Sequence, residues 1–259
     1  MRYYKGYISL SETTDIPVLQ LVRNCRAVCF DQLRDLLTQE MLISLIRSLR
    51  WRVTRLEKFG LLTRLEGQKH FGKPVYRITR QGLESLESRG HYLVSLPSDT
   101  EQILHPSKVP HALELVNIRL AFASSGQLRS WKSDLEITSR NLVAPHGEAK
   151  DYDAVAEIEI NGEMRRIGIE YERTAKAASR YAGICATLDK DQTTDMVLYL
   201  TPNDDILYLL AMELRATRKR VGFALSDSFR HSVLDTRTLS NEGSSEVLPL
   251  RELLHRATA

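Results

Sequence analysis

Residues 41–80 read MLISLIRSLRWRVTRLEKFGLLTRLEGQKHFGKPVYRITR, and the organisation of the chain is decided there. Leu42, Leu45, Ile46, Leu49, Val53 and Leu56 recur at helical spacing, so one side of the first half packs while Arg47, Arg50, Arg52 and Arg55 emerge between them. Leu61 to Glu66 reads as a short strand and GQKHFGKP as a polar loop, with Gly67, Gly72 and Pro74 favouring a turn; VYRIT then reads as a second strand ending before Arg80.

Upstream, Thr14 or Asp15 is placed to cap a helix beginning near Pro17, whose apolar side is Leu19, Leu21, Val22, Cys25, Val28 and Cys29. Asp31 caps a short helix over QLRDLL, and Thr38 to Glu40 turns the chain into the basic helix. Three helices before a basic two-stranded ribbon give the order of a winged helix-turn-helix. In that arrangement the third helix enters the major groove of DNA and the ribbon approaches the backbone or the minor groove.

Charge points the same way. Residues 41–80 hold ten Lys and Arg against two acids, Glu57 and Glu66, and phosphate contacts supply much of the affinity for nucleic acid whatever the base sequence. Arg47, Arg50, Arg52 and Arg55 are the candidate DNA contacts on the helix, and Lys69, His70 and Lys73 those on the ribbon. The arginines do not share one line on the helix, so some must bind phosphate, protein or solvent instead of bases. Trp51 and Leu49 are expected in the core. The plain alternative is a solvated basic face on a protein-interaction module.

A chain of 259 residues with 42% hydrophobic content forms one large domain or two ordinary ones. We expect a first domain over residues 1–95, a connecting segment over 96–110 rich in Ser, Asp and Pro, and a second domain over 111–259. The net charge of +3 conceals a segregation, because an acidic segment near residues 151–172 offsets the basic one. The start of the chain lacks a secretory pattern and no run approaches 18 apolar residues, so a soluble, cytoplasmic protein with no membrane partner is expected. Cys25, Cys29 and Cys185 lack the paired spacing of a structural zinc site; Cys25 and Cys29, four apart on one helical face, are read as core residues.

Beyond residue 110 the pattern becomes α/β. A helix begins near Val109, QLRSWKSDLEI opens the strands with Asp134, and TSRNLVAPHGEAKDY is a polar connection to Asp153. AVAEIEI alternates as a half-exposed strand, Asn161-Gly162 favours a tight hairpin, and IGIEYE is the return strand, carrying Glu170 and Glu172 on one side. AKAASRYAGICATL reads as a helix, and MVLYLT, DDILYLLAMELRATR and VGFALS continue the alternation expected of a sheet with helices on its faces. Asp134, Asp153, Glu170 and Glu172 are candidates for a catalytic or metal site, since oxygen ligands suit Mg or Mn and a bound ion can polarise phosphate and activate water. Lys176 and Arg180, four apart, either fold back to stabilise phosphate or pair with Glu172 and its neighbours. His111 and Asn117 are read first as a buried hydrogen-bonding pair or a helix contact to the acidic pocket, and second as a base or ligand. No nucleotide-binding glycine loop occurs.

RSLRWRVTRLEKFGLLTRLEG with PVYRITRQG, then HALELVNIRLAF and DYDAVAEIEINGEMRRIGIEYERT, together resemble the replication-relaxation family of mobile-element proteins. That resemblance implies a restriction-endonuclease-like second domain in which Asp153 holds the first acid position and Glu170 the second. Glu172 then stands where an active nuclease usually has lysine, a departure that disfavours cleavage. The resemblance also matches His111 and Asn117 to the family's polar helix pattern, and it implies a role in plasmid replication, conjugation or its transcriptional control.

The expected function is therefore sequence-specific binding of double-stranded DNA by a regulator that needs no cofactor, as a homodimer with a replication, conjugation or transcription partner. The competing expectation is a Mg- or Mn-dependent endonuclease using the acidic site.

Overall fold

The computed structural model describes residues 8–40, 46–94, 105–144, 150–242 and 246–256. The expected start of the basic helix at residues 41–45, much of the Ser- and Pro-rich connection and the aromatic start of the chain lie outside them. The protein is a mixed α/β chain that divides into two compact units, residues 1–116 and 117–259.

In the first unit, α1 (Asp15–Asn24), α2 (Phe30–Gln39), α3 (Leu49–Lys58) and α4 (Arg80–Glu87) accompany a three-stranded antiparallel sheet. Its strands, in spatial order, are β1 (Val28–Cys29), β3 (Lys73–Ile78) and β2 (Leu62–His70). Val18, Leu19 and Val22 of α1, Leu33, Leu36 and Leu37 of α2, and Leu49, Val53 and Leu56 of α3 are buried together with Val75 and Ile78 of β3. Burying each such side chain contributes about 1.5–3 kcal/mol.

Local readings change in instructive ways. Helix α1 begins at Asp15, two residues before Pro17, and Thr14 makes no side-chain cap bond. Cys25 ends α1 while Cys29 sits in β1, so the two do not share a helical face. The expected loop GQKHFGKP is mostly strand: β2 runs on to His70 through a register shift between Arg64 and Lys69, and the turn is only Phe71-Gly72. Trp51, expected in the core, is 54% exposed, with the Arg55 guanidinium 5.1 Å from its ring centroid.

The second unit is built on a seven-stranded sheet. Its order is β10 (Val247–Pro249), β9 (Arg237–Ser240), β8 (Val221–Leu225), β7 (Met196–Thr201), β6 (Glu163–Tyr171), β5 (Ala154–Ile160), β4 (Leu128–Ser133). The β6–β7 and β7–β8 pairings are parallel, and the remaining pairings are antiparallel. Helix α5 (Val109–Ser124) holds the division between the units after Val116. The other helices are α6 (Asp134–Val143), α7 (Tyr181–Leu188), α8 (Asp204–Glu213), α9 (Ser226–Ser232) and α10 (Leu250–His255).

Each face of the sheet is covered. On one, Val155, Val197, Tyr199, Val221 and Phe223 pack with Ile137 of α6, Tyr181 and Leu188 of α7, and Leu207 and Leu210 of α8. On the other, Phe122 of α5 meets Phe229 of α9 at 4.8 Å between ring centroids and Trp131 of β4 at 6.3 Å. Strands β5 and β6 join through Asn161-Gly162, as the dipeptide predicts, with φ of 53° and 83°. Helix α6 replaces part of the expected polar connection: a capping box between Ser133 and Glu136 starts it, with the Ser133 amide and hydroxyl both donating to Glu136 Oε2. Helix α7 starts only at Tyr181, so Lys176 lies before it, and Glu172 lies just past the end of β6.

One ionic contact fixes α3 in the first unit. Asp15, 1% exposed, accepts from Arg52 Nη1 at 2.7 Å and from Arg55, and also from the Ser11 amide at 2.9 Å. Burial by itself would raise the Asp15 pKa; the Ser11 amide and the two guanidinium groups outweigh it and hold the carboxyl below its usual value. A carboxyl depressed in the folded state stabilises the fold above its unfolded value of about 3.9, and that contribution is lost as pH falls through the lower folded value. Asp15→Asn is expected to lose about 3 kcal/mol or more in urea unfolding at pH 7, because it leaves Arg52 buried without its carboxylate. The variant should also lose less further stability than the parent between pH 5 and 2. Unchanged stability and an unchanged acid profile would contradict this.

Candidate functional site

The first candidate surface is α3 with the β2–β3 hairpin. Arg47, just before α3, and Arg50, Trp51, Thr54 and Lys58 on it are all exposed, whereas Leu49, Arg52, Val53 and Leu56 are buried. Those on the helix recur every three or four residues and form one stripe. Arg52 and Arg55 do not join it, since both guanidinium groups are engaged with Asp15, and Arg52 additionally donates to Thr14 Oγ1 at 2.8 Å and Ser48 Oγ at 3.1 Å.

Beside the stripe lies a hollow of about 370 Å³, lined by Phe30, Arg50, Thr54, Arg64, Lys73 and Tyr76 among others. Arg50 lies 5.3 Å from the Phe30 ring centroid and Arg64 lies 5.8 Å from that of Tyr76. Two of the cations are already partnered within the unit. Arg64 grips Glu57 in a fork, Nε to Oε1 at 2.8 Å and Nη2 to Oε2 at 2.9 Å, and Lys73 is hydrogen-bonded to Asp31. The Lys73 ammonium holds the Asp31 carboxyl below its usual pKa. Lys69 is exposed on the hairpin. The surface thus combines exposed cations, an exposed indole and a hydroxyl on one helix stripe with a cationic hairpin, a donor set suited to phosphate and base edges.

The second candidate lies at one end of β5 and β6 in the other unit. The antiparallel register pairs Ala154 with Ile169, which sets Asp153 and Glu170 opposite one another one step further along. Asp153 Oδ2 accepts from the Tyr171 amide at 2.8 Å, and the Asp153 carbonyl accepts from the Asp134 amide at 3.1 Å. Asp134 is the first residue of α6, and its Oδ1 accepts from the Leu135 amide at 2.8 Å. Glu170 is 8% exposed and pairs with Lys150; Glu172 pairs with Lys176. Lys176 donates its backbone amide to Tyr181 Oη at 3.1 Å, and Arg180 is exposed in the single turn before α7. His111 and Asn117 are half-buried positions of α5.

Lys150 is the residue that sequence reasoning missed. It stood in a polar stretch with nothing to distinguish it from a solvated lysine, whereas its Nζ lies 4.6 Å from the Tyr152 ring centroid and contacts Glu170. Desolvation lowers its pKa from 10.5 to about 8, against the opposing pull of Asp153. Desolvation lowers Lys176 as well, again against Asp153. The support beneath is stiff. Tyr152, fully buried, donates its hydroxyl to Asp191 Oδ2 at 2.7 Å, and a side chain on Gly168 would run into the Tyr152 ring at 2.8 Å. Burial acts to raise the Asp191 pKa, but hydrogen bonds from Thr193, Thr194 and Tyr152 hold it far below the usual carboxylate range.

Oxygen donors of this kind suit a hard cation, but among the described residues no three His, Cys, Asp or Glu side chains come together to hold one. The ion pairs of Glu170 and Glu172 with lysine satisfy those carboxylates instead. Among the described residues no helix is long and apolar enough to cross a membrane.

No family model matches the chain, so the replication-relaxation resemblance gains no support from that comparison. No curated protein matches it. Among solved structures, the restriction endonuclease FokI is similar over 87% of this chain and 45% of its own, at 9% identity and a TM-score of 0.31. The chain spans less than half the length of that protein.

The Lys150 environment is directly measurable. After reductive methylation with ¹³C-formaldehyde, the Lys150 signal, assigned with Lys150→Arg, is expected to titrate near pH 8, below the ordinary lysine value of 10.5. Titration at that ordinary value would contradict the buried, Glu170-facing position.

Proposed function

We propose that the protein is a sequence-specific double-stranded DNA-binding regulator of transcription or replication on a mobile element, reading DNA through a winged helix-turn-helix formed by α1–α3 and the β2–β3 hairpin. The observation that carries this reading is the exposed stripe Arg50, Trp51, Thr54 and Lys58 on α3, with Arg47 exposed just before it, next to a hairpin bearing Arg64, Lys69 and Lys73. Arg47, Arg50 and Lys58 contact bases or phosphate, with Lys69 and Lys73 anchoring the hairpin on the backbone. Arg52 and Arg55 act at one remove, holding the helix that presents the others. Two copies related by a twofold axis address repeated half-sites, and the partners are those of replication, conjugation or transcription.

In this reading the second unit has a restriction-endonuclease-like core whose acidic site is dormant and needs no cofactor. What supports dormancy is the pairing of Glu170 with Lys150 and of Glu172 with Lys176. The alternative, Mg- or Mn-dependent hydrolysis at Asp153 and Glu170, draws support from their opposed positions at the strand ends with two lysines close by.

The test is selection of full-length protein on a barcoded library of duplex fragments at near-physiological salt, with the recovered DNA also checked for strand breaks after incubation with Mg or Mn. Enrichment of one shared motif, lost in Arg50→Glu with Lys58→Glu, and intact DNA are expected. Uniform weak recovery would sink the sequence-specific reading. Metal-dependent breaks abolished by Asp153→Ala would establish the hydrolytic one.

A further inference from the structure

We infer that Phe71, at the tip of the β2–β3 hairpin, is an apolar wedge that enters the minor groove of the bound duplex and part-opens a base step. This rests on the DNA-binding reading above and adds to it the mode of engagement and a distortion of the DNA.

The argument starts from the turn. His70 pairs with Lys73 as the last rung, leaving Phe71 and Gly72 as a two-residue connection. Both have positive φ, 48° and 75°, the combination that favours Asn, Asp or Gly at the first position and disfavours a bulky side chain. The same chain closes its other two-residue hairpin with Asn161-Gly162 at φ of 53° and 83°. One turn therefore carries the residue its backbone prefers, and the other carries phenylalanine at a conformational cost.

Packing does not offset that cost. Phe71 is 84% exposed, the most exposed of the large apolar side chains described, and its ring meets only the edge of His70 among the described aromatic contacts, at 4.5 Å and 65°. A strained backbone that places an apolar ring in water is a feature to be explained by a partner. The surroundings identify the partner's charge. Exposed Lys69 precedes the tip, His70 flanks it, and Lys73, paired with Asp31, follows it, so the approach is toward an anionic surface that meets Lys69 first. An apolar ring projecting from a cationic hairpin suits a duplex whose phosphates receive Lys69 while the ring slides between base pairs, a mode by which Phe, Leu, Ile and Met side chains unstack steps and bend DNA from the minor groove.

The test uses the full chain and duplexes recovered in the library selection, each carrying 2-aminopurine at a different step. Wild-type protein is expected to raise 2-aminopurine fluorescence at one step. Phe71→Asn and Phe71→Gly both suit the turn and are expected to keep or raise the thermal midpoint, lose the fluorescence rise and bind about tenfold more weakly. Wild-type fluorescence and affinity in both variants would overturn the wedge while leaving the DNA-binding reading intact. A fall in thermal midpoint in both would mean that the ring holds the hairpin together, and would overturn it too. Unchanged duplex binding combined with lost binding to phosphatidylserine vesicles would assign the tip to a lipid surface instead. Failure of the wild-type protein to retain any duplex would remove the reading on which the wedge depends.

Discussion

A single buried carboxylate organises the first unit. Asp15 opens α1 and takes both Arg52 and Arg55 from α3, so two helices are joined by charge where hydrophobic packing alone would tolerate rotation. Burying an ion pair is not in itself a strong source of stability, because desolvation cancels much of the attraction. Its effect here is directional. With Arg52 and Arg55 drawn inward, α3 turns one stripe to solvent, and that stripe bears Arg50, Trp51, Thr54 and Lys58, with Arg47 exposed just before it. The contact decides which of four neighbouring arginines face outward, and any nucleic-acid partner inherits that choice.

The second unit treats its charges differently. Its acids sit at the end of two strands held in register from Ala154↔Ile169 to Ile160↔Glu163, and a tyrosine pinned by Asp191 backs them. Lys150 and Lys176 bring positive charge onto Glu170 and Glu172, and partial burial of the lysines makes their protonated forms less favourable. Such a cluster is balanced rather than poised to gather a cation. The same geometry keeps the hydrolytic alternative testable, since Asp153 stands opposite Glu170 at the strand ends, its carboxylate accepting from the Tyr171 amide.

Much of this was legible in the sequence, for identifiable reasons. Asn161-Gly162 names its hairpin because few residues accept two successive positive φ values, and the alternation of AVAEIEI follows from one face of β5 being less covered than the other. The apolar positions Leu49, Val53 and Leu56 marked the inner side of α3. Periodicity could not sort the arginines, because Arg52 lies on that inner side and is there only through a partner 37 residues away. Trp51 was misplaced for the same reason: indole size argues for the core, but its position falls on the stripe that Asp15 leaves outside. Helix α6 was hidden by polar residues, its start set by the Ser133 and Glu136 capping pair rather than by apolar spacing. Lys150 carried no local signal, since what makes it distinctive is Glu170, 20 residues on.

The central claim is that α3 presents an Asp15-sorted cationic stripe to DNA phosphate and bases. The most direct measurement is the dependence of duplex affinity on salt, taken as the slope of log affinity against log salt concentration, for the wild-type chain and for Arg50→Gln with Lys58→Gln. The account predicts a slope shallower by about 2 in the double variant, roughly 0.9 for each phosphate contact removed, with the fold unchanged by circular dichroism. An unchanged slope in a folded variant would contradict it, because the exposed stripe would then make no contact with the DNA backbone.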